Sequence, residues 1–179
     1  MSITIPPSYA LTKLTVSTVG NIPLFKQSLL STVGQAWTTA NLAFYMPIVV
    51  DSLIVVQKVA WVNGATAAGN FDVGIYNSAL VKLASTGAVA QTGTSVLQVA
   101  TLSVTLPPGN YHVGMSSSGT TGVITAVYKT GGATVTCGTA VETSAHPLPA
   151  TATPVTNVGQ PNYFFADVLP VTLFGRSFA

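Results

Sequence analysis

Charge is what this sequence has least of. Its 179 residues include 6 Lys and Arg, 4 Asp and Glu and 2 His, so charged residues make up 6% of the chain, against about a quarter in an ordinary soluble domain. The bases, Lys13, Lys26, Lys58, Lys82, Lys129 and Arg176, are scattered. A nucleic-acid partner would call for a basic stripe or patch, so none is expected. The sequence pI near 8.8 reflects few acids more than many bases. The carboxylates are Asp51, Asp72, Glu142 and Asp167. Glycoside hydrolysis needs two of them flanking one bond, and no pair here shares a motif. Asp72 reads as a surface charge or a turn-flanking hydrogen-bonding group. Ser116 to Ser118 lies in no G-x-S-x-G elbow and reads as a polar strand end, and no phosphate-binding G-x-x-x-x-G-K-[ST] loop occurs.

Cysteine is nearly absent as well. Cys137 stands alone, which rules out a disulfide within the chain and a thiolate metal cluster, and leaves a buried structural thiol. His112 and His146 are far apart and have no Asp or Glu at ligand spacing, so neither a metal site nor a cofactor is expected. With so few groups able to move protons or attack a bond, the chain reads as a non-enzyme. It also lacks a long uninterrupted apolar run. The most apolar stretch, Leu42 to Val62, contains Pro47, Asp51, Gln57 and Lys58, where a spanning helix needs roughly 20 apolar residues. No membrane partner is expected, and MSITIPPSYA shows no signal-peptide pattern.

What the chain has is alternation. Phe71, Val73 and Ile75 point one way and Asp72, Gly74 and Tyr76 the other, the period of a half-buried strand. Asn77-Ser78 then predicts a hairpin into 79–85. Leu102, Val104 and Leu106 alternate with Ser103 and Thr105. Tyr111, Val113 and Met115 alternate with His112, Gly114 and Ser116. Between them, Pro107-Pro108-Gly109-Asn110 predicts a type II turn with positive φ at Gly109. Strands are expected at 42–50, 52–62, 70–77, 79–85, 96–106, 110–117, 121–129 and 162–173. Short strands separated by turn signals point to an all-β fold, an antiparallel β-sandwich of jelly-roll type. The interior should hold Phe71, Val73, Ile75, Leu102, Val104, Tyr111, Val113 and Met115. Trp61 shares parity with Val59, Val55 and Leu53 and should join them.

The two ends read differently. Residues 1–40 form an N-terminal arm or strand-poor lead-in to a domain at 41–179. Within it Leu29, Val33, Ala36, Trp37 and Ala40 have near-helical spacing, so a short helix and an extended arm both remain open. Residues 130–161 are proline-rich and irregular. They read as a long C-terminal loop or arm with one short strand near Ala133 to Cys137.

GNFDVGIYNSALVKLASTG, followed by LPPGNYHVGM, resembles small β-sandwich proteins of tailed-bacteriophage virions. Those pair a DVGIY strand with a later P-G-x-Y turn, and QAWTTANLAFYMPIVV is similar to their lead-in. The resemblance spans roughly residues 35–117. It implies a structural protein of the decoration or fibre type, located in the virion and assembled in the host cytoplasm. Its partners would be itself and other virion proteins such as the major capsid protein. The alternative is a tail-associated receptor- or carbohydrate-binding module.

Mean hydropathy is +0.55, and so uncharged an exterior invites association. A homo-oligomer is expected, a trimer first, with the arms at 1–40 and 130–161 supplying contacts. Tyr76 shares parity with Asp72, which makes it an exposed ring available to a sugar or a partner. Trp37 and His112 complete the set of candidate surface residues.

Overall fold

The computed structural model describes residues 31–128, 140–156, 162–163 and 167–171. Every regular element among them is a strand, and no helix of the described residues is long and apolar enough to cross a membrane. The strands are β1 (Ser31–Ala36), β2 (Ala43–Val50), β3 (Ile54–Val62), β4 (Asn70–Asn77), β5 (Lys82–Ser85), β6 (Val89–Ala90), β7 (Leu97–Leu106), β8 (Gly109–Ser117), β9 (Val123–Tyr128), β10 (Ala140–Glu142), β11 (Val155–Thr156), β12 (Asn162–Tyr163) and β13 (Asp167–Val171). They form three antiparallel sheets, none of them a closed barrel. The largest runs β11-β10-β2-β8-β4-β5, with β6 also on β4; the others run β13-β3-β7 and β1-β9-β12.

Alternation explains why these segments pair as they do. Along β7, Gln98, Ala100, Leu102 and Leu106 are buried while Leu97, Val99, Thr101, Ser103 and Thr105 are exposed. In the large sheet the apolar positions meet across strands. Phe44, Met115 and Val73 form one row, and Met46, Val113 and Ile75 the next. These rows share a single core with Val56, Val59 and Trp61 of β3 and with Ile124 of β9. The sandwich-like packing follows, since each sheet hides one apolar face against another. Of the expected interior, Phe71, Val73, Ile75, Leu102, Tyr111, Val113 and Met115 are buried. Val104 is partly buried against the same cluster.

Four expectations change. First, residues 31–36 are neither a helix nor a free arm: they pair along their length with β9, and Trp37 directly after them is 1% exposed. The Trp37 ring meets Phe44 and Phe71 edge-on, at centroid distances of 5.3 and 5.4 Å, and its indole N–H donates to the Leu42 carbonyl. The near-helical spacing of apolar residues here was overridden by available strand partners.

Second, the parity running from Trp61 back to Leu53 breaks. The β3–β7 register shifts between Val56 and Lys58, and the inward positions change from Val56 to Val59 and Trp61. Leu53 is consequently 52% exposed. A bulge inverts every parity argument that crosses it.

Third, β7 and β8 are not a hairpin. They lie in different sheets, with Pro107-Pro108 carrying the chain from one to the other. Gly109 is the first residue of β8, opposite Val50, and is not among the described glycines with positive φ, which are Gly69, Gly87 and Gly93. The corner is fixed instead by Tyr111, whose hydroxyl donates to the Pro107 carbonyl at 2.8 Å, the tyrosine-corner device of sandwich proteins. The β4–β5 hairpin is present as expected, with a longer loop. The Asn77 side-chain oxygen accepts from the N–H groups of Ala79 and Val81, and Leu80 takes a φ of 60°.

Fourth, the expected strand at 162–173 is two strands in two sheets, β12 on β9 and β13 on β3. The short strand expected near Ala133 to Cys137 lies outside the described residues, as do residues 1–30 of the N-terminal arm.

Candidate functional site

Both faces of the large sheet carry buried apolar clusters. The inner face meets the core. On the outer face, residues 143–152 form a strap held by its own sheet. A floor of two glycines makes room for it. At Gly114 a Cβ would sit 3.0 Å from the Tyr76 ring and 3.1 Å from the Tyr45 ring. At Gly74 it would sit 3.0 Å from Leu148 Cδ1. The two tyrosines stand edge to face over this floor, centroids 5.2 Å apart, with Leu148, Ala145 and Ala152 closing over them.

Polar groups of the sheet hold the strap's backbone. Tyr76 donates its hydroxyl to the Pro149 carbonyl at 2.8 Å, and Lys82 donates from Nζ to the Leu148 carbonyl. Asp72 accepts the Leu148 N–H at 2.9 Å through one oxygen and the Thr86 hydroxyl through the other. Tyr45 donates to Glu142, whose second oxygen accepts from Thr153. Burial pushes both tyrosine hydroxyls above their ordinary value. For Tyr45 the hydrogen bond to Glu142 adds to the rise; for Tyr76 the hydrogen bond with Tyr45 opposes it.

This arrangement corrects two sequence readings. Tyr76 is fully buried, so it offers no platform to a sugar, and Asp72 is buried rather than a surface charge. Parity alone cannot reveal a face covered from far along the chain. Of the three candidate surface residues, Tyr76 and His112 are direct cross-strand partners in the outer layer, whereas Trp37 lies in the core. His112 is half-buried beside Pro47, and its Nδ1 is enclosed with no hydrogen-bond partner among the described residues.

His146 comes from the strap and lies 3.0 Å from the Ser116 hydroxyl through Nδ1. Ser116 is the cross-strand neighbour of Asp72. The three side chains thus converge, but Ser116 is fully buried and Asp72 is bonded to Leu148 and Thr86. The cluster serves to anchor the strap. No group of three or more His, Cys, Asp or Glu that could hold a metal occurs among the described residues.

Both imidazoles have pKa values below the ordinary 6.5. Burial is the cause in each, partly offset by a hydrogen bond to the Asn77 backbone for His112 and by the Asp72 charge for His146. Lowered folded-state values mean that the unfolded chain binds more protons just below pH 6.5, so stability falls as pH falls from there through the folded-state values. The thermal midpoint should therefore drop on acidification through this window. A His112→Gln/His146→Gln double variant should show a flatter profile there, and an unchanged slope would refute the assignment.

A second buried polar cluster joins the ends of four strands, β3, β6, β7 and β9. Asn63, directly after β3, accepts from the Trp61 indole and from Gln91 Nε2, each at 3.0 Å. Its amide nitrogen donates to the Thr92 carbonyl at 2.7 Å and to Gln98 Oε1 at 2.9 Å. Gln91 also reaches the Val123 carbonyl and accepts from Ala68. Sequence reading passed over these residues, because a lone Asn or Gln in a neutral loop carries no pattern.

The exterior carries very little charge. Among residues whose side chains are described, Asp51 and Lys58 are the exposed charged ones; Asp72 is buried, and Lys82 and Glu142 are partly covered. Large aliphatic side chains are exposed instead, with Leu97, Val99, Val96 and Val62 grouped at one end of the β3–β7 pair. No family model matches this chain, and no curated protein or solved structure matches it either.

Proposed function

We propose that the protein is a non-enzymatic structural component of a tailed-bacteriophage virion. In this reading it is a capsid decoration or cement protein with a jelly-roll sandwich, acting as a homo-oligomer on the major capsid protein. The observation that carries this reading is the exterior: exposed aliphatic side chains with only Asp51 and Lys58 as exposed charges among the described side chains. Such a surface is poorly suited to a free monomer and well suited to one covered by neighbours. The sequence likeness over roughly residues 35–117 supports the same reading. The polar groups of the strap are engaged with their own sheet, as an anchored covering segment requires. Glycan binding by a tail module loses its main support, since Tyr76 is buried.

The test is co-sedimentation of the purified protein with particles that lack it. Saturable binding that changes little between low and high salt is expected, because few charges are available to be screened. A protein that ignores particles and binds a glycan would overturn the proposal in favour of the receptor-binding module.

A further inference from the structure

We infer that β7 is a self-association edge, pairing antiparallel with β7 of a second copy of this chain. The inference rests on the proposed self-association and gives it a surface. Among the described residues β7 ends the β13-β3-β7 sheet, so one of its rows of backbone N–H and C=O groups has no strand partner among them. Among the described residues, no loop forms a backbone hydrogen bond to Leu97–Leu106 either. Edges of this kind are normally protected by charged side chains, proline or bulges. The strand LQVATLSVTL has no charged residue and no proline. Its register shift lies between Thr101 and Val104, leaving Leu97–Thr101 in regular pairing with Val62–Lys58.

Three apolar side chains of this regular segment are exposed on one face. Leu97 is 60% and Val99 46% exposed, and Val62, directly opposite Leu97, is 37% exposed. The occupant follows from charge. Among the described side chains of this sheet the charged one is Lys58, opposite Thr101 on the neighbouring strand, so a charged partner finds no complementary patch among them. A second copy brings another uncharged strand. Paired about Val99, it sets Val99 against Val99 and Leu97 against Thr101 of the second copy, with no charge facing a charge. The contact is two-fold and closes on itself. It produces dimers, or joins two trimers, and does not itself build a three-fold.

Sedimentation over a range of concentrations tests this on the full chain. The wild-type protein should form even-numbered species. Val99→Lys puts two ammonium groups face to face at the axis, and the association should weaken by at least about tenfold. Val155→Lys, at a 67% exposed valine on β11, should leave it unchanged. Because Val99 points outward, the thermal midpoint should hardly move. Val99→Cys provides a second readout that does not depend on tolerating a lysine. Directly opposed residues of an antiparallel pair lie within disulfide reach, so mild oxidation should give more covalent dimer than the unaltered chain, which carries Cys137. A wild-type chain that stays monomeric, a Val99→Lys chain that associates as tightly as wild type, or no extra dimer from Val99→Cys would each overturn the inference. Particle binding is measured separately. A wild-type protein that dimerises through β7 yet ignores particles refutes the virion assignment alone; one that binds particles but is indifferent to Val99→Lys refutes this surface alone.

Discussion

Asn63→Ala should destabilise the protein by about 3–6 kcal/mol, the largest loss expected from a single side chain here. The methyl group that replaces the amide cannot accept from the Trp61 indole or from Gln91, nor donate to the Thr92 carbonyl and Gln98. Asn63, Gln91 and Gln98 are each less than a tenth exposed, so water cannot readily replace the lost partner. Each buried polar group left unmatched costs about 1–3 kcal/mol, and several are orphaned together. Asn63→Leu should fare no better, since it restores volume and none of the hydrogen bonds. Asn63→Asp keeps both acceptor roles but faces the Thr92 carbonyl and Gln98 Oε1 with a carboxylate, so it should also lose stability. Denaturant unfolding checks all three. An Asn63→Ala midpoint close to wild type would show that the network does not hold the ends of these strands together.

Ile75→Ala should cost about 2–5 kcal/mol. Ile75 is fully buried in β4, between Val113 of β8 and Ala84 of β5. Truncation removes apolar contact and leaves a cavity in a sheet fixed on both faces, by the core below and the strap above. Neither layer can collapse into the gap without breaking hydrogen bonds elsewhere, which places the cost toward the upper part of the range. Ile75→Val keeps most of the volume and should cost about 1 kcal/mol. Equal losses for the two substitutions would mean that the site relaxes freely and that the strap does not brace the sheet.

The class of fold and most of the strands are legible in the order of residues alone. A period of two is enforced wherever one face is buried, so β2, β4, β7 and β8 appear close to their expected bounds. The same period placed Phe71, Val73, Ile75, Val113 and Met115 inside. Composition likewise pointed to an uncharged exterior, and the structure makes it barer still by burying Asp72 and partly covering Lys82 and Glu142.

The remaining features depend on partners distant in the chain, which no local pattern encodes. Residues 31–36 became a strand only because β9, almost a hundred residues later, offers it a ladder. Parity in β3 failed at a register shift that depends on how β7 is set beside it. Pro107-Pro108-Gly109 has the composition of a hairpin turn, yet it crosses between sheets, and Tyr111 fixes the crossing through its hydroxyl. Tyr76 lies on the outward face, as its parity required. It is buried because a strap some seventy residues farther on lies over it and accepts its hydrogen bond. Local pattern states which face of a strand a side chain occupies; only the path of the whole chain determines what comes to cover that face.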